Sequence, residues 1–118
     1  MTKRVQGATD QDLEQLTSLF RLLSDKTRLN ILMLLTDGER NVSNLCDALK
    51  LPQPTVSHHL GLLRMSNLIS NRRNGKQVFY ELNGRVDAAD GTSLNVTIEK
   101  YHVRIGGAPA LASVPGGT

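Results

Sequence analysis

The middle of the chain concentrates side chains that could bind a polyanion. No Asp or Glu occurs from Ala48 to Tyr80. The basic residues of that stretch are Lys50, Arg64, Arg72, Arg73 and Lys76. Acids and bases are mixed in the residues before it, so the net charge of +3 is concentrated in one region. An anionic partner is therefore expected to contact residues 50–76.

Hydrogen-bonding side chains in the same region have a spacing that suits the outer face of a helix. They are Gln53, Thr55, Ser57 and His58, followed by Arg64. A helix fits the major groove of duplex DNA, and short polar side chains let its backbone approach the base edges. Gln53 could hold an adenine through two hydrogen bonds, and His58 could donate to a guanine or a phosphate. Ordinary solvated residues are the plainer interpretation, but the missing acids favour DNA contact.

Three of the basic residues flank the dipeptide Asn74-Gly75: Arg72, Arg73 and Lys76. Asn-Gly between two strand-like runs is the strongest short-range signal of a β-hairpin. A charged hairpin can serve solubility alone. Three bases beside one turn, with no acid close in sequence, favour contact with phosphates or a minor groove.

The elements before this region are predicted to be helices. Thr9 is a candidate N-cap, with two acids placed to favour the positive end of the first helix. Apolar residues then recur at spacings of three and four, on one face of that helix. They are Leu13, Leu16, Phe20 and Leu23. This stripe could cover the domain's own core, pair with a second copy, or do both, and it is the predicted dimer interface.

Three further helices follow in the prediction. A nearly apolar one restarts at Ser24–Lys26 and ends at 37–39, and its composition predicts burial on most sides. A shorter one is capped by Asn41 or Ser43. The fourth runs from about Gln53 to Met65. Its predicted inner residues are Val56, Leu60 and Leu63.

Strand-like runs at 68–72 and 77–82 complete a helix, turn, helix and basic hairpin. That order predicts a winged helix-turn-helix, mainly α with a small β-hairpin. Residues 94–98 and 101–105 alternate in opposite phases, which favours strands with a turn near Glu99-Lys100 over a helix. Residues 106–118 are rich in Gly, Ala and Pro and are predicted to be a disordered tail. The domain is therefore expected to span 9–105.

Several classes of protein are disfavoured by composition. A chain of 118 residues leaves no room for a separate catalytic domain. No apolar run is long enough for a membrane span, and the first seven residues lack the apolar block of a secretory signal. A nucleophile elbow and a phosphate-cradling glycine loop are absent from the sequence. We therefore expect a cytoplasmic protein that is not an enzyme and has no cofactor.

Cysteine and histidine residues give little support to a metal site. Cys46 is the sole cysteine, so it cannot form an internal disulfide. It is either a small core residue or a redox switch. His58 and His59 are neighbours about 100° apart on a helix and cannot readily chelate one ion. His102 near Glu99 is at best a weak pair. Metal binding is not expected.

The sequence resembles the ArsR/SmtB family of regulators over roughly residues 13–83. Three segments carry the resemblance: LLSDKTRLNIL at 22–32, PTVSHHLGLL at 54–63 and NGKQVFY at 74–80. They are similar to the family's segment before the DNA-binding motif, its recognition helix and its wing. The resemblance implies a homodimeric repressor that leaves its operator when an effector binds.

The sequence departs from the family at its metal sites. Members that sense metals through a Cys-x-Cys pair carry it at the start of the third helix, where this chain has Asn41 and Ser43. The family's alternative C-terminal site corresponds to Gly84, Val86, Thr97 and Lys100. Neither set matches the metal ligands. The sequence also departs from the family at its final helix, because that segment is predicted to be strand.

Two functions from different classes follow. The first is a homodimeric repressor that binds double-stranded DNA at a pseudo-palindromic operator. The second is a winged-helix protein-interaction module that does not touch DNA. Within the first, the input could be a small apolar ligand at the dimer interface, oxidation of Cys46, or none.

Overall fold

The computed structural model describes residues 7–88 and 93–106. Helix α1 spans Asp10–Leu23. It begins at a capping box, in which the Thr9 hydroxyl accepts the Asp12 N–H at 3.0 Å and the Asp12 carboxylate accepts the Thr9 N–H at 3.1 Å. The reciprocal bonds satisfy two backbone donors that the start of a helix leaves unpaired. Thr9 is thus confirmed as the N-cap.

Helices α2 and α3 form the next layer. Helix α2 spans Lys26–Leu34 after the N-cap Asp25 and continues as a short 3-10 turn, Leu35–Asp37. Gly38, with φ of 131°, then turns the chain away. Helix α3 spans Val42–Leu49, and the Asn41 side chain accepts the Asn44 N–H at 2.7 Å. The cap of α3 is therefore Asn41, of the two residues that the sequence left open.

Helix α4 spans Gln53–Met65, as predicted. It starts just after Pro52, and Pro54 costs little there because the first N–H groups have no partner within the helix. Val56, Leu60 and Leu63 are all completely buried. They belong to one core with Leu45 of α3 and the buried residues of α2. Helices α3 and α4 therefore form a helix-turn-helix packed on α2.

The wing is a three-stranded antiparallel sheet in the order β1-β3-β2. Strand β1 spans Arg40–Asn41, β2 spans Ile69–Asn74 and β3 spans Gln77–Leu82. Strand β2 runs two residues further than predicted, up to the turn at Gly75, whose φ is +66°. Strand β1 was not predicted, because two residues carry no readable alternation. It places the start of α3 beside the hairpin.

The C-terminal segment is a second antiparallel sheet, as the alternation predicted. Strands β4 (Val86–Asp87), β5 (Ser93–Ile98) and β6 (Tyr101–Gly106) pair in that order. The turn falls at Glu99-Lys100, where Glu99 has φ of 55°. Strand β4 was not predicted. The predicted tail lies outside the described residues, apart from its first position, Gly106, which ends β6.

The apolar stripe of α1 divides between two environments. Leu23 is buried, and Leu16 packs against the core. Leu13 and Phe20 keep 50% and 52% of their surface exposed. The stripe therefore covers the domain's own core through one pair and leaves the other pair facing solvent.

Among the described residues, no helix has both the length and the apolar character that crossing a membrane would require.

Truncating the buried face of α4 should destabilise the domain. Leu60→Ala removes a side chain with no exposed surface and should lower the free energy of unfolding by about 2–5 kcal/mol. Met65→Ala, on the same helix but 77% exposed, should change it by less than about 0.5 kcal/mol. Urea unfolding at one fixed protein concentration measures both. Equal losses would show that the core is not where the structure has it.

Candidate nucleic-acid interface

The outer face of α4 presents the predicted hydrogen-bonding residues to solvent. Gln53, Thr55, Ser57, His58 and Arg64 are all exposed. The Gln53 side-chain amide donates to the Ser57 hydroxyl at 3.2 Å, one turn further along. Neither group is committed to the core, so both are free to exchange this bond for one to a ligand.

His59 has a different role from its neighbour His58. Its ring is half-buried, and its Nδ1 lies 3.2 Å from Nη1 of Arg28 on α2. Because a guanidinium only donates, His59 Nδ1 is the acceptor. Arg28 also donates from Nε to the Leu22 carbonyl at 2.8 Å. One arginine thus joins the end of α1, the start of α2 and the middle of α4.

Asp25 also contacts Arg28 and His59 at this junction. Its carboxylate accepts the Arg28 backbone N–H at 3.0 Å, and this bond is the main reason that the pKa of Asp25 is lowered. Asp25 Oδ1 also lies 4.0 Å from His59 Nδ1. His59 therefore orients α4 and does not face a ligand.

The start of α4 and the tip of the wing meet at one groove of about 170 Å³. Its lining residues are Asn41, Val42, Ser43, Gln53, Lys76, Gln77 and Val78. The Asn41 side chain also donates to Gln77 at 3.4 Å, which links the cap of α3 to the wing. The structure thus brings together Gln53 and Lys76, which the sequence separates by more than twenty residues.

The two wing arginines have different partners. Arg73 pairs with Val78 in the register of β2 and β3, so their side chains share a face of the hairpin. Val78 lines the groove with Gln53. Arg72 pairs with Phe79 and, as the next residue along the strand, belongs to the other face. Both arginines are exposed.

On that other face, Arg72 forms a forked ion pair with Glu39. Arg72 Nε donates to Oε2 at 3.1 Å and Nη2 donates to Oε1 at 2.5 Å. The guanidinium carbon also lies 4.9 Å from the centre of the Phe79 ring. The hydrogen bonds and charge of Arg72 lower the pKa of the Glu39 carboxyl, and Glu39 raises the pKa of Arg72.

Sequence reasoning missed this pair. The run from Ala48 to Tyr80 contains no acid, but Glu39 lies 33 positions before Arg72 and reaches it through the pairing of β1 with β3. The two-residue strand β1 is the missing link. Short-range patterns contain no signal for it.

The remaining candidates form no metal cluster in the described residues. No group of three His, Cys, Asp or Glu side chains there could hold an ion. Cys46 is half-buried and packs against the core from α3. His102 has its Nδ1 3.3 Å from the Thr97 hydroxyl across the β5–β6 hairpin.

The comparisons with known proteins agree on one family. Residues 25–71 match the family described as bacterial regulatory protein, arsR family. The chain is 33% identical over 110 residues to the HTH-type transcriptional regulator KmtR of Mycobacterium tuberculosis, covering 87% of this chain and 85% of that protein. It is 48% identical over 71 residues to the arsenical resistance operon repressor of Escherichia coli, covering 59% of this chain and 61% of that repressor.

A solved structure shares the fold. It is the homodimeric winged helix-turn-helix DNA-binding domain of a possible ArsR-family transcriptional regulator from Mycobacterium bovis, determined by solution NMR. It superposes with a TM-score of 0.58 at 31% identity, covering 68% of this chain and 77% of that one.

The ion pair makes a prediction about titration. Since the pKa of Glu39 is held below its ordinary value of 4.5 by Arg72, Arg72→Ala should return it towards 4.5. The stabilising effect of the pair is present above the unfolded pKa and is lost as the pH falls through the lower folded pKa. Carboxyl-carbon NMR titration measures the shift.

Arg73→Ala is the matched control, because it removes the neighbouring charge from the other face and should leave the Glu39 titration unchanged. If Glu39 titrated equally low in Arg72→Ala, another group would have to be its partner.

Proposed function

Because the chain belongs to the arsR family of bacterial regulatory proteins, we propose that it is a homodimeric repressor that binds a pseudo-palindromic DNA operator. The observation that carries the proposal is the meeting of Gln53 and Lys76 at one groove. It places the start of an exposed polar helix beside the tip of a basic hairpin. To contact a major groove and its flanking phosphates together, a protein must present such a helix and such a hairpin on the same side.

Helix α4 is the element proposed to enter the major groove. Its exposed side chains Gln53, Thr55, Ser57 and His58 supply donors and acceptors of short reach, and its apolar face is fully committed to the core. The Arg28–His59 contact fixes the helix against α2. Gln53 is the proposed base-reading residue, since an amide can pair with both major-groove groups of adenine.

Arg73 and Lys76 are the wing residues proposed to hold phosphates, with Arg64 at the end of α4. Arg73 shares the face of the hairpin that lines the groove through Val78. No acid within residues 7–88 and 93–106 forms an ion pair with Arg73, so its charge is available. Arg72 is a conditional contact, because Glu39 already occupies the Nε–Nη2 edge of its guanidinium.

Dimerisation is proposed through α1. Leu13 and Phe20 leave large apolar surfaces in solvent on a helix whose other leucines already pack on the core. A partner copy related by two-fold symmetry would cover them and give two recognition helices for the two half-sites of an operator. The Mycobacterium bovis domain is itself a homodimer.

We also propose that regulation does not use the family's metal sites. The position of one metal-binding thiolate is occupied by Asn41, whose side chain caps α3. Val86, Thr97 and Lys100, at the alternative positions, lie on β4, on β5 and in the β5–β6 turn.

Phosphate and base contacts should respond differently to substitution. Arg73→Ala should weaken binding to every duplex and reduce the log-log salt slope by about 0.9 for each phosphate that the variant no longer neutralises. Gln53→Ala should keep the slope and relax discrimination at one base pair in each half-site, by about 1–3 kcal/mol. Selection from random duplexes followed by fluorescence anisotropy at several salt concentrations measures both.

Absence of any enriched motif, together with weak salt dependence in the parent, would instead identify a winged-helix module for protein interaction. Identical behaviour of both variants and the parent would show that the residues are wrongly assigned.

The dimer interface makes a separate prediction. Leu13→Glu combined with Phe20→Glu should convert the protein to a monomer, because the carboxylates would lose water in the interface without a partner. Sedimentation velocity measures the mass, and circular dichroism checks that the helices persist. Met65→Glu, which alters a third exposed apolar residue, should remain dimeric. A dimer that survives the double change would place the interface elsewhere.

A further inference from the structure

We propose that Glu39 is a built-in competitor for DNA phosphate at the Nε–Nη2 edge of Arg72, so that Arg72 offers this edge to DNA only after exchanging a carboxylate for a phosphate. This inference rests on the proposed DNA-binding function and names a residue that tunes it. Glu39 touches no base or phosphate in this scheme. It acts through Arg72 and is a positioning residue.

The geometry of the pair is that of a phosphate contact. Glu39 takes the Nε and Nη2 donors of Arg72 with its two carboxylate oxygens. These two parallel N–H groups form one of the edges through which a guanidinium can hold two phosphate oxygens. A carboxylate and a phosphate cannot both occupy that edge. Binding of one at the edge therefore excludes the other.

The surroundings of Arg72 keep its guanidinium in place for either partner. Phe79 lies beneath it at 4.9 Å, and Phe79 belongs to β3, the strand between Arg72 and β1. Glu39 directly precedes β1, whose Asn41 pairs with Phe79. Release of Glu39 therefore leaves a guanidinium that is still supported by an aromatic face, beside the tip of the wing.

Exposure makes the exchange feasible. The Arg72 side chain is 51% exposed and that of Glu39 is 30% exposed. Exposed ion pairs are weak, because water and salt screen both charges. A duplex held at the wing by Arg73 and Lys76 is attracted by those charges and carries further phosphates along its backbone. One of these can reach Arg72 on the other face of the hairpin and displace the carboxylate. A lone anion in solution lacks that attraction.

The paired arginine also contributes little to long-range attraction. At long range the opposite charges of Arg72 and Glu39 cancel, so the attraction of DNA from a distance depends on the other basic residues. The contribution of Arg72 appears only at hydrogen-bonding distance. Arg72→Ala alone should therefore weaken binding less than Arg73→Ala does.

Neutralising the competitor tests the proposal directly. Glu39→Gln should tighten binding to the selected operator about two- to five-fold for each protomer engaged, which is the range set by removing one exposed ion pair. Its salt slope should steepen, by up to about 0.9 for each Arg72 at which Glu39 still excludes phosphate in the parent complex, or about 1.8 for a symmetric dimer. Fluorescence anisotropy from low to moderate salt gives both numbers.

Two comparisons isolate the effect. Asp37→Asn removes one negative charge from the same turn, where its partner Arg40 lies 3.9 Å away, and should leave both the affinity and the slope close to the parent values. Glu39→Gln in an Arg72→Ala background should give no gain, because the residue that Glu39 occupies is gone. Circular dichroism shows whether each variant folds, and Glu39→Ser serves in place of Glu39→Gln if the latter does not.

The outcomes separate the two proposals. A gain that disappears in the Arg72→Ala background supports the inference. An operator-binding parent whose affinity and slope are unchanged or reduced by Glu39→Gln overturns the inference and leaves the proposed function intact. A gain that persists without Arg72 also overturns it, since the charge would then act generally. A parent that binds no duplex overturns both.

Discussion

The placement of the proposed DNA contacts on α4 depends on the burial of one face of that helix. Val56, Leu60 and Leu63 have no exposed surface, and this commitment fixes which way Gln53 and Ser57 point. The contact between Arg28 and His59 then fixes the position of the helix along its neighbours. Rotation of α4 by one residue, about 100°, would expose apolar side chains and bury polar ones without partners. The packing of the hydrophobic core therefore also determines which side chains of α4 face outward.

The helices and the hairpin could be predicted from the sequence because their signals are local. A capping residue and a period of three to four define α1, and α4 starts beside Pro52 and Pro54. Alternation predicted β5 and β6 and placed their turn at Glu99-Lys100. Strands β1 and β4 were missed, since two residues contain no period and become strands only through their partners. Local sequence patterns therefore predict the helices and strands that are long enough to show a periodicity of their own.

The candidate site shows the same division in its charges. Exposure of the polar residues on α4 followed from the periodicity of Val56, Leu60 and Leu63. The electrostatic state of the wing did not follow, because an acid-free run of sequence is not an acid-free surface. Glu39 enters from another element, and only the antiparallel order β1-β3-β2 brings it to Arg72. Charges counted along the sequence predict the sign of the net charge of a region. Ion pairs between residues far apart in sequence can be recognised only once the strand order is known.

An ion pair between Asp12 and Lys100 links the last hairpin to the first helix. Lys100, in the turn of the last hairpin, lies 3.4 Å from the carboxylate that also closes the first turn of α1. The last hairpin and the start of α1 are thereby in contact, in addition to the packing of α1 against β5. Because the Lys100 side chain is 55% exposed, water and salt screen this ion pair, and salt should weaken it. The pair lies one residue from the exposed Leu13, so the C-terminal hairpin borders the surface that is proposed to meet a second copy.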